Sequence, residues 1–506
     1  MARQVNGFVG TFNSLTELNR KFPPAEHAGC SANFTINGTT VKYWSNGTNW
    51  AGGDSLVLQN LATGVGILPD GVALYDVTTT NNVNCAINSA TASFSILDIG
   101  KPCVIIPYTD TGLFPSYGTI TTIISTNQCI ATLNVAPGSL ASATMIYGTD
   151  NGARLDALFS AFTSAPSKGM VQLPSGIICT TRTHNIPTGI YLRGLGNNPT
   201  GGKAKDFKHY GTSLCLVGYL NSDFLTGGSI GPGDPKGIHI RDLNIDCANL
   251  AYRCLNSAST GRTEHIEQVT MVRGNSTEIY NSAATSRVHK SCFLGQNNGN
   301  VVSLSGDSTF VNNIVTGAGN SFYGIKTSNG DDVLIAHNHI WKDSSATSML
   351  GGSIWASFNS GNTKAGSVVI LGNKCDTNYG SAIKISVSGA SSARDVAILN
   401  NDCFNNDSVT NNTGPVIELN VASGCDIRGL RIQGNGARAS WNDPTKGQWT
   451  YLIDNSASLG TIYGSWVGGN VAHGVTGLYN GFTPTMDGGN LIIAGSGTTV
   501  TKSTIA

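Results

Sequence analysis

Three nine-residue stretches near the middle of the chain repeat one pattern, and this repeat narrows the possible folds more than any other feature. Val-Leu-Ile-Ala-His-Asn-His-Ile-Trp at 333–341, Val-Val-Ile-Leu-Gly-Asn-Lys-Cys-Asp at 368–376 and Val-Ala-Ile-Leu-Asn-Asn-Asp-Cys-Phe at 396–404 share it. Each sets an apolar residue, then Asn three positions on, then an apolar or thiol residue two beyond: Ile335/Asn338/Ile340, Ile370/Asn373/Cys375 and Ile398/Asn401/Cys403. The template extends backwards to Ile240/Leu243/Ile245, Ile266/Val269/Met271, Val288/Ser291/Phe293 and Val311/Ile314/Thr316, and forwards to Ile427/Leu430/Ile432 and Ile462/Ser465/Val467. Successive leads are 22 to 35 residues apart, a drifting period in which loops absorb the variation.

A second column keeps step with the first. Short alternating strands led by Ile279, Val302, Ile325, Ile354, Ile383, Ile417 and Leu452 precede the motifs by 9 to 16 residues. Two columns in step describe strands stacked turn upon turn, each pairing with its copy in the next turn. The reading is all-β, a right-handed parallel β-helix; a β-sandwich with recurrent strands is the competing arrangement. The Asn338/Asn373/Asn401 column reads as an internal amide ladder. Cys375 and Cys403 fall on successive turns as stacked buried thiols, with a disulfide as the alternative.

The 506 residues hold several domains, and 30 basic residues cancel 30 acidic ones, so neither nucleic acid nor anionic membrane is implied as a partner. Only 12% of residues are charged and Gly numbers 63, which suits many short strands with hydroxyl and amide surfaces. No signal-peptide segment or membrane-length apolar run is present, so folding in a cytoplasm without membrane insertion is expected. The 12 cysteines form no CxxC pair, and His337 and His339 are not set in a metal-binding pattern. No metal site and no cofactor are expected.

Along the chain, Ser14-Leu-Thr-Glu looks like a capping box opening a short helix, and 32–36 with 40–48 reads as a hairpin. Residues 1–52 form a small α+β attachment module. In 53–147, β-rich segments at 55–58, 72–75, 93–97, 104–106, 119–124 and 130–135 alternate with turns, giving a small sandwich or barrel that is either a spacer or a carbohydrate-binding domain. Residues 148–480 form the coil. Asp150 or Asn151 caps an entrance helix whose Leu155, Leu158, Phe159 and Phe162 make an apolar stripe, a lid for the open end. Residues 481–506 supply closing strands and a trimer contact.

The order Gly-x-Asp at 148–150, amphipathic helix, Val-x-Leu-Pro-x-Gly at 171–176 and Ile-Pro-x-Gly-x-x-Leu-x-Gly-x-Gly at 186–196 resembles the entrance of pectate-lyase-like β-helices, particularly bacteriophage tailspike and tail fibre proteins. The segment 15–24 with 43–50 is similar to the virion-proximal module of some phage spikes. The entrance usually carries two successive Asp where this chain has Asp150-Asn151. The resemblance implies a homotrimer on the virion tail, assembled in the host cytoplasm, joined to phage tail or portal adaptor proteins by its N-terminal module. It also implies recognition, and often cleavage, of host cell-surface polysaccharide.

Strand alternation turns Asn244, Thr270, Cys292, Val315, His339, Lys374, Asp402 and Arg431 outward, and two residues further on Asp246, Trp341, Asp376, Phe404 and Gln433. His339, Trp341, Lys374, Asp376 and Asp402 therefore share one patch. Asp376 and Asp402, one turn and two residues apart, lie about 8 Å from each other at the backbone. Their carboxyls can reach the roughly 6.5–9.5 Å of an inverting glycosidase. The bland alternative is solvated surface carboxylates. The second column turns Tyr280, Ser303, Lys326, Trp355, Lys384 and Glu418 outward, an aromatic platform with ammonium groups and a further candidate carboxylate, Glu418, or else a buried subunit interface. Asn329-Gly-Asp-Asp332 reads as a turn. Three readings follow: a glycan-binding spike that hydrolyses its receptor, with lyase chemistry the lesser option; a non-catalytic receptor-binding or structural fibre; and a free polysaccharide-degrading enzyme, which the attachment-like start disfavours.

Overall fold

The computed structural model describes residues 8–12, 18, 20–22, 31–36, 39–45, 50–52, 66–108, 114–163, 170–199, 203–227, 237–257, 263–275, 278–295, 300–317, 323–327, 332–342, 352–359, 366–376, 380–389, 392–404, 414–439, 449–493 and 500–502. From Met170 onward the chain winds as a right-handed parallel β-helix, with strand pairings linking each turn to the next. Among the described residues two stacks dominate, one of 23 strands and one of 11, with a three-strand stack (Ser392–Arg394, Asp426–Arg428, Thr461–Tyr463) in the later turns. Val288, Phe310, Ile335, Ile370, Ile398 and Ile432 lie one above another inside the coil.

Each motif is a corner between two strands. Two residues after the lead, the chain steps through the left-handed region at Asp242, Gln268, Lys290, Asn312, His337, Gly372, Asn400, Gly434, Gly469 and Gly489. At Gly372 (φ 62°) a Cβ would sit 2.6 Å from His337 Nδ1, so a larger residue there would push the His337 ring aside. The bend takes backbone groups out of the strand ladder, and the next residue replaces what they lose. Asn373 Nδ2 donates to Ile335 O of the turn before and to Asn401 Oδ1 of the turn after, both at 2.9 Å. Asn401 Oδ1 also accepts the Asn373 backbone N–H at 3.0 Å. This buried ladder runs through Asn313, Asn338, Asn373, Asn401, Asn435, Asn470 and Asn490.

The ladder corrects the register expected from the sequence. The true triads are Phe310/Asn313/Val315, Ile432/Asn435/Ala437 and Val467/Asn470/Ala472, followed by Asp487/Asn490/Ile492. Ile427 and Ile462 instead stack on Ala393 in the three-strand sheet. A second left-handed corner lies five residues before the first, at Asp395, Gly429 and Gly464, and it carries the same apolar spacing. Spacing alone cannot separate the two corners; the asparagine can. In the second column, Tyr280 and Ile453 pair in the places expected for Ile279 and Leu452.

Three further expectations change. Val315 points inward, so Ile314 takes its outward place, and Arg431 and Gln433 belong to the strand before the corner. Tyr280, expected outside, is fully buried and donates to Glu264 Oε2 at 2.6 Å. The Glu264 carboxyl also accepts from Ser257 and the Ala283 N–H, yet burial without a cation raises its pKa.

Ahead of the coil, Val72–Thr79, Asn84–Asn88, Pro102–Pro107, Ser116–Ser125, Gln128–Leu133 and Ala143–Tyr147 close into a six-stranded barrel. The stretch 93–97, expected as a strand, contains the start of a 3-10 turn, Ile96–Asp98, because Asp98 accepts the Ser95 N–H and folds the chain back. Residues 55–58 lie outside the described residues. The entrance helix Gly152–Thr163 buries Leu155, Leu158 and Phe159 in the coil's core. Asp150 accepts the Gly152 N–H at 2.9 Å, while Asn151 reaches back to the N–H and carbonyl of Leu68. The Phe162 side chain is outside the described residues. At the N-terminus, Ser31–Ile36, Thr39–Ser45 and Trp50–Gly52 pair antiparallel and Phe8–Phe12 adds a parallel strand. The 14–17 capping box lies outside the described residues.

At the far end Met486–Gly488 and Leu491–Ile493 continue the parallel stack, and Val500–Lys502 turns back antiparallel. The 11 described cysteines are buried and free, with the Cys403 thiol hydrogen-bonded to Cys375. Among the described residues no helix is long and apolar enough to cross a membrane.

Candidate functional site

Beyond the corners, His339–Lys342, Lys374–Asp376, Asp402–Phe404, Gly436–Arg438 and Val471–His473 stack in register. One outward row reads His339, Lys374, Asp402, Gly436; its neighbour reads Thr316, Trp341, Asp376, Phe404, Arg438, His473. His339, Trp341, Lys374, Asp376 and Asp402 thus meet on one face, with Asp376 directly between Trp341 and Phe404 and diagonal to Asp402. That diagonal spans about 8 Å between Cα atoms.

The face carries its own charges. Arg438 Nη2 pairs with Asp402 Oδ2 at 2.5 Å, and both side chains are 42% exposed. The Arg438 guanidinium and the Lys374 ammonium lie 5.8 Å and 5.0 Å from the centroid of the Phe404 ring. Glycine at 436, directly opposite Asp402, leaves the carboxylate open to the next turn. Burial, and then the neighbouring Lys374 charge, lowers the His339 pKa, and its Nε2 is a buried atom without a hydrogen-bond partner. Arg438 is the member that sequence reasoning missed. The register error after Asn401 placed Gln433 in its position; the Asn435 spacing was the signal that finds it.

Trp355, Lys384 and Glu418 sit on the separate 11-strand sheet, so the structure does not bring them to the same face. They form a continuous ladder with Lys326. Lys326 Nζ is 4.4 Å and Lys384 Nζ 5.9 Å from the centre of the Trp355 ring. The indole N–H donates to Ser386 Oγ at 2.7 Å. Lys384 pairs with Glu418 at 2.7 Å, and Ser381 donates to Glu418 at 3.0 Å. The ammonium groups cover the ring, and the ladder satisfies itself.

The same post-corner stack is closed on the earlier turns. Asn244, Asp246 and Thr270, expected outward, have no exposed surface, and Cys292 is buried. Residues 197–199 and 203–210 lie over them: Asn198 N–H donates to Asn244 Oδ1 at 2.8 Å, and Thr270 Oγ1 donates to Asn198 O at 2.8 Å. Phe207 packs on Val272, Cys292 and Leu294. Beneath it Arg273 makes two hydrogen bonds to Asp246, which also takes one from His209 Nε2 at 2.8 Å. His209 in turn holds the hydroxyl of Tyr75, from the barrel, through its Nδ1 at 3.0 Å and its backbone N–H at 2.8 Å. Burial alone would raise the Asp246 pKa; the Arg273 charge and the His209 hydrogen bond outweigh it and hold the carboxyl far below its ordinary range.

Asp332 is held in its turn by Ser367, which donates to it through its N–H and hydroxyl; residues 329–331 lie outside the described residues.

No family model matches the sequence, and no curated protein matches it in a sequence search. Solved structures share the coil. The tailspike of Escherichia coli bacteriophage HK620 aligns at 13% identity over 69% of this chain and 62% of its own, with a TM-score of 0.47. The catalytic domain of a GH87 α-1,3-glucanase aligns at 9% identity over 81% and 96%, with a TM-score of 0.44. A Geobacillus virus E2 protein, ORF18, aligns at 10% identity over 98% and 75%, with a TM-score of 0.30. These are likenesses of fold, and the residues of the open face carry the functional argument.

Proposed function

We propose that this chain is a phage receptor-binding spike that grips a host surface polysaccharide along the open post-corner face and hydrolyses it with Asp376 and Asp402. The observation that carries the reading is the diagonal pair of carboxylates on adjacent turns, flanked by Trp341 and Phe404 and by Lys374 and Arg438. Aromatic rings stack on the apolar faces of sugars, and cations pair with acidic sugar substituents. Two aspartates whose Cα atoms stand about 8 Å apart on one face can set their carboxyls at the spacing that suits water attack with inversion, one protonating the leaving oxygen and one activating water. His339, half-buried in the same row, lines the face beside Lys374. Trp355, Lys384 and Glu418 fit a second contact surface better than a reaction centre.

A homotrimer fits the other half of the same sheet. On the middle turns the strands before the corner face outward with Leu334, Val369, Leu371 and Leu399, all half-buried. Such a stripe suits a subunit contact. The N-terminal sheet would then join the spike to tail or portal adaptor proteins.

One observation favours a purely adhesive fibre: Asp402 is already paired with Arg438, and Glu418 with Lys384. Sizing host polysaccharide after incubation with the purified chain separates the two readings. Shortened chains that disappear with Asp376→Asn, in a protein that still assembles, support the hydrolase; retention of full-length polysaccharide on the wild-type protein supports the adhesin.

A further inference from the structure

On the first turns the strands before the corner present a different cluster. Tyr191, His239 and His265 form one outward row, and Arg193, Arg241, Glu267 and His289 form the row beside it. The rings stack from turn to turn, with centroids 4.1 Å apart for Tyr191 and His239, 4.2 Å for His239 and His265, and 4.9 Å for His265 and His289. His265 and His289 bring their Nε2 atoms to 2.7 Å, where one neutral ring donates to the other. The Nε2 of His239 is buried and has no hydrogen-bond partner. Glu267 lies 3.4 Å from Arg241 and 3.8 Å from His289 Nδ1. One donor atom from each of His239, His265 and Glu267 fits within a 4.8 Å spread.

Stacking alone does not account for this group. It leaves the Nε2 of His239 buried and unsatisfied, which is costly, with the Glu267 carboxylate and the His265 ring close by. A cation that accepts the lone pair removes that cost. We infer that His239, His265 and Glu267 form a binding site for a divalent d-block cation of the zinc class, with His289 as fourth donor. Imidazole nitrogens with one carboxylate suit such an ion and not magnesium or calcium, which take oxygen ligands. Bond lengths of about 2.0–2.1 Å set neighbouring donors of a tetrahedral ion roughly 3.3 Å apart. The close His265/His289 pair must open and the wider spread must close, so binding requires the rings to turn out of their present stack. Arg241 keeps Asp242 as its partner, at 3.3 Å, when Glu267 turns to the ion. The cluster lies on the strands before the corner and the Asp376/Asp402 pair on those after it, so this inference stands apart from the glycan reading.

The test uses the full chain, stripped with a chelator, dialysed and titrated with zinc chloride by calorimetry, with bound metal counted by elemental analysis. About one ion per chain is expected, and His265→Ala and Glu267→Gln should each weaken binding about tenfold or more. Glu267→Gln keeps the side-chain shape, so an unchanged melting temperature in the metal-free variant separates lost ligation from lost folding. His473→Ala, at an exposed outward position elsewhere in the coil, should bind as wild type does. Absence of uptake at about 100 μM zinc, equal uptake in both variants, or equal affinity for magnesium would each overturn the site.

Discussion

One stack of strands is used in two ways along its length. On the earlier turns its outward positions hold Asn244, Asp246, Thr270 and Cys292, all buried beneath residues 197–199 and 203–210. On the middle turns the equivalent positions hold His339, Lys374, Asp402, Trp341, Asp376 and Arg438, and the Asp402 and Arg438 side chains are each 42% exposed. Strand alternation fixes which side chains leave the core and says nothing about what lies on top of them. Where a segment covers the face, polar groups pair with one another and bind the barrel to the coil. Where no described residue covers the face, the same positions are partly exposed. The covered half should therefore answer to stability measurements and the open half to turnover.

The sharpest break in this contrast comes from paired substitutions. Asp376→Asn should lower depolymerisation by about a hundredfold to ten-thousandfold, the usual contribution of a positioned acid or base, with the melting temperature unchanged. Asp402→Asn should do the same; unchanged turnover in either variant removes that carboxylate from the chemistry. Arg273→Leu should do the opposite, since removing one partner of a buried pair leaves Asp246 uncompensated and costs about 3–5 kcal/mol. Calorimetric unfolding of Arg273→Leu within about 1 kcal/mol of wild type would mean that the covered pair is not structural.

The pH dependence follows from the same carboxylate. The folded-state pKa of Asp246 is depressed, so the unfolded chain takes up a proton that the native chain refuses. The stabilisation is fully present above the unfolded value of about 4 and drains away as pH falls further towards the folded value. Melting curves from pH 6 downwards should show this loss in the wild type and a shallower one in Asp246→Asn. Parallel curves for the two proteins would remove Asp246 from the acid response.

The asparagine ladder tests the part both halves share. Asn401→Ala removes the acceptor of the Asn373 side chain and backbone N–H and leaves both buried, so a loss of about 1–3 kcal/mol is expected by thermal unfolding. Asn435→Ala should cost a similar amount because it serves Asn401 in the same way. A ladder substitution that leaves the melting temperature in place would make the column decorative.

That ladder also explains what was legible in the sequence. Ile335, Ile370 and Ile398 announced the coil because inward apolar residues must recur when each turn stacks on the last. The exact register was harder, since both left-handed corners place apolar residues at equal spacing, and Ile427 and Ile432 satisfy the same template from different sheets. The cover on Asn244 and Asp246 was invisible for another reason: residues 197–199 and 203–210 owe their place to Phe207, His209 and Asn198, whose partners lie far along the chain. The five residues of the open face emerged from alternation alone, while Arg438 needed the amide ladder to fix its turn.

Arg438→Ala is the smallest change and the finest probe. The ion pair with Asp402 is exposed, solvent screens it, and holding two mobile side chains offsets much of its attraction, so melting should shift by less than about 1 kcal/mol. The effect on function has a definite sign under each reading. If Asp402 works in hydrolysis, losing the guanidinium frees the carboxylate to wander, and turnover should fall several-fold while the folded protein is unchanged. If the face only adheres, the same variant should lose retention of acidic polysaccharide, because one of its cations has gone, with no product to lose. Arg438→Lys separates orientation from charge, since a lysine retains the positive charge without the planar fork. Recovery of retention without recovery of turnover would assign Arg438 to aiming Asp402, whereas a stability loss above about 2 kcal/mol in either variant would mean that the open face is as structural as the covered one.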